Sequence, residues 1–254
     1  MAKKSGLSAR FQLAREDFIC RTIASVEGEV GVGKTYFGCT GPAPILIQNI
    51  DKGTEGVVEL FRKEGKEIYE EMYEWNPGEA DDDDEGNLKA EAELKAAAIE
   101  VRNKWEKDYF YALENGVHTV VMDNESRIWQ VYRYSEFGGP NGEQRDYDKL
   151  NLRFEELINR AKACNVNLLM MRAMKDRWGM YGKPKADGRK SFAKSGREVW
   201  GYEHLAGQVM TELTFLRRTQ EEQDEAEDGL GEYVIKIGKC RQIKDLQFTL
   251  QPRM

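Results

Sequence analysis

The stretch Gly28-Glu29-Val30-Gly31-Val32-Gly33-Lys34-Thr35 points to the fold of the whole chain. It follows a strand-like run at residues 18–26 and precedes a short helical pattern that begins at Thr35 and ends before Gly41. Glycines in such a loop let backbone N–H groups curl around phosphate oxygens, and the following helix presents the positive end of its dipole to the same charge. The spacing GxxxxGK[ST] therefore predicts a phosphate-binding loop, the Walker A motif.

Lys34, Thr35 and Asp123 carry the chemistry that this loop predicts. The ammonium group of Lys34 is expected to reach the β- and γ-phosphates of ATP, and the hydroxyl of Thr35 to ligate Mg²⁺. Asp123 ends an apolar strand pattern at 117–123, where its carboxylate can hold Mg²⁺ through water. The predicted Mg²⁺ ligands are Thr35 and Asp123, and the predicted nucleotide-binding residues are Gly28, Glu29, Val30, Gly31, Val32, Gly33, Lys34, Thr35, Tyr36 and Asp123.

Two acids are candidates for the base that orients a water molecule against the γ-phosphate. Asp51 ends a second strand pattern at 45–50 and is expected to face the same crevice as Lys34. The alternative for Asp51 is a helix cap, because residues 51–54 also have the composition of a turn. Glu125 lies two residues after Asp123, and it is either a catalytic base or a solvated acid at the start of a helix.

Strand and helix patterns alternate along most of the chain, and two hairpin-like strands at 209–216 and 233–238 close it. This order predicts an α/β fold with a mostly parallel sheet flanked by helices and with antiparallel strands at its edge. A ligand is expected at the C-terminal ends of the parallel strands. The chain divides into an N-terminal arm (1–17), a core (18–244) and a C-terminal tail (245–254). Within the core lie an acidic, helical insertion at about 64–116 and a basic loop at 173–200.

The basic loop concentrates cations and aromatic rings in a chain whose net charge is −7. It contains eight lysines and arginines against three acids, with four aromatic residues interleaved. Cations for backbone phosphates and aromatic faces for stacked bases are typical of a loop that binds single-stranded nucleic acid. The alternative is a solvated lysine-rich loop without a special role. The predicted nucleic-acid contacts are Lys175, Arg177, Trp178, Tyr181, Lys183, Lys185, Arg189, Lys190, Lys194 and Arg197.

The composition excludes several other classes of protein. A length of 254 residues suits one large α/β domain with insertions better than two full domains. No run approaches the ~18 to 20 apolar residues of a membrane span, and the basic start lacks the apolar core of a signal peptide, so we expect a cytoplasmic protein with no membrane partner. The four cysteines lie far apart without a CxxC pair, which leaves Mg²⁺ with oxygen ligands as the expected metal.

With these residues in place, the chain resembles the RecA-core ATPases over residues 18–244, and in particular the compact phage-type RecA-like ATPases of single-strand annealing and recombination. In that family a catalytic glutamate ends the strand after the Walker A helix, a position that looks like Asp51 here. The family's Walker B acid matches Asp123, and Arg172 stands where the family has a sensor glutamine. A mobile DNA-binding loop of the family matches residues 175–200 in position.

The family also has a late strand ending in two cations that reach the nucleotide of the neighbouring subunit, and Lys239 and Arg241 resemble that pair. The alternative for both is an exposed strand end. The resemblance implies a DNA-dependent ATPase that binds ATP and Mg²⁺ at the interface of a homo-oligomer and acts on single-stranded DNA in the cytoplasm of a bacterial host. Asp51 would be its catalytic base, and Lys239 or Arg241 would be the finger, the cation that reaches the nucleotide of the neighbouring subunit. A single-strand-binding protein would be a further partner.

Two other functions stay open at this point. One is a P-loop kinase for small molecules, with the basic loop as its lid. The other is a nucleotide-gated DNA- or partner-docking module with little turnover, which is favoured somewhat by Asp51 in place of glutamate and by Arg172 at the sensor position.

Overall fold

The computed structural model of the protein describes residues 21–50, 52–54, 56–77, 84–139, 147–180, 192–202, 205–218 and 232–240. Within these ranges only the backbone is described at 84–90, 176–180, 192–197, 206, 239 and 240. Among the helices of these segments, none combines the length and the apolar character that crossing a bilayer requires.

The described strands form one eight-stranded sheet, ordered β3-β2-β4-β5-β1-β7-β8, with β6 paired to the far half of β5. All neighbours from β3 to β7 in this order are parallel, whereas β8 and β6 are antiparallel to β7 and β5. The predicted α/β fold with a mostly parallel sheet and antiparallel additions is therefore confirmed. The strands are β1 (Ile23–Gly28), β2 (Ile45–Asn49), β3 (Ile68–Met72), β4 (Thr119–Asp123), β5 (Asn167–Met180), β6 (Phe192–Val199), β7 (Thr211–Arg217) and β8 (Tyr233–Cys240).

Helices cover both faces of the sheet: α1 (Lys34–Thr40), α2 (Val57–Lys63), α3 (Asp84–Glu114), α4 (Glu125–Phe137), α5 (Tyr147–Ala163) and α6 (Leu205–Gln208). Successive strand residues point to opposite faces, so that Val120 and Met122 pack with α3, α4 and α5, while Val121 packs with α1 and α2. A strand buried on both faces is largely apolar, which agrees with the apolar run at residues 120–122 of β4.

Two segments differ from the sequence prediction. Residues 68–72, placed in the insertion by sequence, form the edge strand β3 and pair with β2. The basic loop is an extended structure where it is described, because β5 continues to Met180 and pairs with β6 from Met174 onward. The helical part expected of the insertion at about 64–116 is present as α3, which lies against α4.

Candidate functional site

The glycine-rich loop connects the end of β1 to the start of α1 at the C-terminal edge of the parallel strands. Gly28 has to be glycine, because a Cβ atom there would lie 2.7 Å from the carbonyl oxygen of Phe215. Gly33 caps α1 with φ at +90°, a left-handed conformation that L side chains rarely adopt. The side chain of Val30, at the tip, is 97% exposed. The loop is therefore held closely at its base and open to solvent at its tip.

Lys34 folds back over this loop. Its Nζ atom donates hydrogen bonds to the carbonyl oxygens of Gly28 at 2.8 Å and Glu29 at 2.6 Å. The ammonium group of Lys34 therefore lies beside the first two residues of the glycine-rich loop. A more strongly charged acceptor at the same place, such as a phosphate oxygen, would form a stronger bond with it.

Thr35 and Asp123 meet although 88 residues separate them in the sequence. The Oγ1 atom of Thr35 donates to Oδ2 of Asp123 at 2.6 Å. Since β5 lies between β1 and β4 in the sheet, the loop after β1 brings Thr35, in the first turn of α1, past the end of β5 to the end of β4. Mg²⁺ prefers oxygen ligands and usually keeps several waters, so the hydroxyl of Thr35 can ligate the ion directly while the carboxylate of Asp123, held beside it, acts through water. These two oxygens therefore fit the predicted metal in chemistry.

The buried side-chain amide of Asn49, the last residue of β2, bonds to residues on both β3 and the segment 52–54. The side chain of Asn49 donates to Thr54 Oγ1 at 2.7 Å and to Glu70 Oε1 at 2.9 Å, and its Oδ1 accepts from the backbone N–H of Lys52 at 2.9 Å. Thr54 also donates to Glu70. Asp51 itself lies outside the described residues, so its predicted role as the base stays a prediction.

Glu70 is a carboxylate at this edge that sequence reasoning missed. It is half-buried on β3, a strand whose mixed polar composition gave no signal in the sequence. The same neighbourhood affects Cys39 on α1. Burial raises the pKa of that thiol to about 11, Lys66 lowers it, and the negative charges of Asp123 and Glu70 raise it further.

Glu125 is the first residue of α4, as expected, but the expected solvation is wrong because its side chain is fully buried. Its Oε2 atom accepts from Arg172 Nε at 3.2 Å, and its Oε1 atom accepts from the backbone N–H of Tyr202 at 2.9 Å. Desolvation raises the pKa of Glu125, against the opposing effects of Arg172 and the Tyr202 N–H. A carboxylate enclosed in this way favours a structural role over that of a base that must contact water.

A cavity of about 750 Å³, which we call the hairpin-root cavity, lies where the β5–β6 hairpin joins the core. The guanidinium group of Arg133 lies 6.0 Å from the centre of the Tyr147 ring, and its buried Nε has no hydrogen-bond partner within the described part of the chain. Arg127 lies 5.8 Å from the centre of the Trp200 ring. The cavity thus combines aromatic faces with cations, and it is lined by Trp129, Arg133, Tyr147, Asp148, Asn151, Arg172, Lys175, Glu198, Val199, Trp200 and Gly201.

The predicted nucleic-acid contacts are described only in part. Lys175 lines the cavity and forms a half-exposed ion pair with Glu198 at 3.2 Å, a contact of little energetic weight that a phosphate can replace. In the backbone register of the hairpin, Arg177 pairs with Gly196, Trp178 with Lys194, and Asp176 with Arg197. The remaining predicted contacts lie outside the described residues: Tyr181, Lys183, Lys185, Arg189 and Lys190.

The predicted finger cations are placed less completely. Lys239, on β8, pairs in register with Glu212 on β7, and Arg241 lies outside the described residues.

No protein-family model and no curated protein sequence matches this chain. Its function is therefore inferred from the residues of the loop and of the hairpin-root cavity.

Proposed function

We propose that the protein is a RecA-like P-loop ATPase that binds Mg²⁺ and ATP at Gly28–Thr35 and engages single-stranded DNA through the β5–β6 hairpin. The observation that carries the nucleotide part is the 2.6 Å contact between Thr35 and Asp123. It brings the hydroxyl of the motif to the acid predicted for the same Mg²⁺. A glycine-rich turn without a ligand does not require such a pairing.

The loop residues would bind the phosphates as follows. Backbone N–H groups of the loop donate to phosphate oxygens, and Lys34 exchanges the carbonyl oxygens of Gly28 and Glu29 for the β- and γ-phosphates. Thr35 and Asp123 would hold Mg²⁺, which, when bound, neutralises charge on the β- and γ-phosphate oxygens. Fixed charges at this edge lower the energy of the transition state without reorganising.

Asp51 is the residue that we propose as the base for the attacking water. Glu125, the other candidate, is enclosed by Arg172 and Tyr202, which removes it from water. Asn49 accepts from the backbone N–H of Lys52, the residue that follows Asp51 in the sequence. Lys239 or Arg241 of a neighbouring subunit would supply the finger in a homo-oligomer.

The hairpin-root cavity supports the DNA part of the proposal. Bases stack on aromatic faces whatever their sequence, and cations compensate the phosphates, so a single strand suits a surface that has both. The cavity offers Trp200 and Tyr147 as aromatic walls and Arg133 and Lys175 as cations. The hairpin continues from this cavity towards the remaining cations of 175–197.

Steady-state hydrolysis of ATP in Mg²⁺, with and without a single-stranded oligonucleotide, tests the proposal. We expect turnover that the oligonucleotide accelerates, and none in Lys34→Ala. Binding of ATP without turnover would instead support a docking module. Turnover that ignores DNA and requires a small acceptor would support a kinase, and absence of ATP binding would contradict the proposal as a whole.

A further inference from the structure

The hairpin-root cavity contains acidic and amide side chains that a surface for phosphates alone does not need. Its lining includes two carboxylates and one carboxamide, those of Asp148, Glu198 and Asn151. A carboxylate repels the phosphates of a nucleic acid, whereas it accepts hydrogen bonds from the amino groups of the bases. This part of the lining therefore suits the edge of a base better than a phosphate.

Within the described part of the chain, Asp148 is the carboxylate of this lining without a counterion. The other carboxylate, that of Glu198, forms an ion pair with Lys175 at 3.2 Å. Asp148 is exposed in the first turn of α5 and forms neither an ion pair nor a hydrogen bond with the described residues. Its oxygens are thus available to a donor that enters the cavity.

Asn151 lies on the same face of α5 as Asp148, because side chains three positions apart are neighbours on a helix. The backbone carbonyl oxygen of Asn151 accepts from the hydroxyl of Tyr202 at 3.5 Å, but its side-chain amide has no partner among the described residues. An amide carries a donor and an acceptor side by side, so it can bond to two neighbouring atoms of a base edge.

The aromatic walls of the cavity adjoin these two polar groups. Tyr147 precedes Asp148 in the sequence and lies four residues before Asn151, so its ring is on the same face of α5. Trp200 contributes a second ring from the hairpin side. A base that stacks on an aromatic ring keeps its edge free for hydrogen bonds. The volume of about 750 Å³ is that of a small-molecule site, which is large enough for a base.

We propose that the hairpin-root cavity takes one base of the single strand and that Asp148 and Asn151 recognise its edge. The carboxylate of Asp148 only accepts, so it favours a base with an amino group. Adenine, cytosine and guanine have such a group, whereas thymine has none and presents oxygen atoms instead. The protein therefore prefers single strands with amino-bearing bases to oligothymidine. This preference rests on the proposed binding of single-stranded DNA at the cavity.

Fluorescence anisotropy of labelled oligodeoxycytidine and oligothymidine of about 12 nucleotides, titrated with the full-length chain at pH 8, tests the preference. Both oligomers are pyrimidine strands of equal length and charge, and oligodeoxyuridine controls for the methyl group of thymine. Asp148→Asn removes the charge at nearly constant size. Glu156→Gln is its matched control, because Glu156 is another exposed acid of α5 and does not line the cavity.

In the wild type and in Glu156→Gln, we expect oligodeoxycytidine to bind about fivefold or more tightly than oligothymidine and oligodeoxyuridine. In Asp148→Asn, we expect the three oligomers to bind alike, because an amide donates to the O4 atom of thymine as well as it accepts from the amino group of cytosine.

A structural role of Asp148 at the start of α5, or its general repulsion of phosphates, would change the three affinities by the same factor and leave their ratio intact. Two results overturn the proposed base recognition while DNA binding stands: no preference for oligodeoxycytidine in the wild type, or an unchanged ratio in Asp148→Asn. Failure of the wild type to bind any of the oligomers overturns the DNA part of the proposed function as well.

Discussion

The change Gly201→Ala adds one methyl group to the protein and is expected to destabilise it severely. The backbone of Gly201 has φ at +130°, and the new Cβ would lie 2.2 Å from Oε2 of Glu125. That oxygen cannot move freely, because it accepts from Arg172, while the other oxygen of the carboxylate accepts from Tyr202.

Two costs set the magnitude. An L residue held at a positive φ of this kind costs about 1 to 3 kcal/mol. Displacing the carboxylate breaks a buried ion pair, which costs about 3 to 5 kcal/mol. We therefore expect a loss of about 4 kcal/mol or more, a large part of the roughly 5 to 15 kcal/mol by which folded domains are stable.

Equilibrium unfolding in urea measures this loss, with Gly207→Ala as the control. No atom lies within 4 Å of a Cβ at Gly207, which has no positive φ, so that change should be neutral or stabilise by up to about 1 kcal/mol. If Gly201→Ala costs less than about 1 kcal/mol, Glu125 has room to move and the close fit of Gly201 against Glu125 is refuted.

Further predictions concern three other features of the chain: the proposed base, the buried Cys39 and the β5–β6 hairpin. Asp51→Asn should keep ATP binding and lose most hydrolysis in a steady-state assay, because it removes a base at constant size; a slow Glu70→Gln beside a normal Asp51→Asn would move the base to β3. Cys39, with its pKa raised to about 11, should carry thiolate in only about one molecule in a thousand at pH 8. Alkylation followed by mass spectrometry should therefore label it ~100-fold or more faster in urea, and equal labelling of the folded chain would contradict its burial. Trp178→Ala should weaken binding of single strands by ~1 to 3 kcal/mol at an unchanged salt slope. A variant with four alanine substitutions should weaken binding of single strands and flatten the salt slope, because it removes phosphate contacts: Lys183, Lys185, Arg189 and Lys190. Fluorescence anisotropy at several salt concentrations measures both effects, and an unchanged slope would refute the prediction.

The parallel core was predictable because its signals are local. An apolar run, a glycine loop and a helix in sequence are enough to place β1 and α1, and the continuous apolar run of β4 predicts a strand buried on both faces. The contact of Thr35 with Asp123 follows from that order, because the carboxyl ends of parallel strands share one edge.

Features that depend on partners distant in the sequence were not predictable. Glu125 looked like a solvated acid because its counterion, Arg172, lies 47 residues away. The strand β3 has two glutamates in five residues and is held by its pairing with β2, so its composition gave no strand signal. The hairpin beyond Met174 is likewise held by backbone pairing with β6, although its glycines and cations are typical of a loop.

Binding of ATP to the wild type and to Lys34→Ala, measured by titration calorimetry in Mg²⁺, tests the central claim most directly. Lys95→Ala is the matched control, because Lys95 Nζ also donates to a backbone carbonyl, that of Glu136 at 2.7 Å, far from the glycine loop in the sequence. We expect Lys34→Ala to weaken binding by roughly 10- to 150-fold, the loss of one hydrogen bond to a charged group, and Lys95→Ala to bind as the wild type does. Equal affinity of Lys34→Ala and the wild type, or no ATP binding by the wild type, would contradict the assignment of Gly28–Thr35 as a phosphate-binding loop.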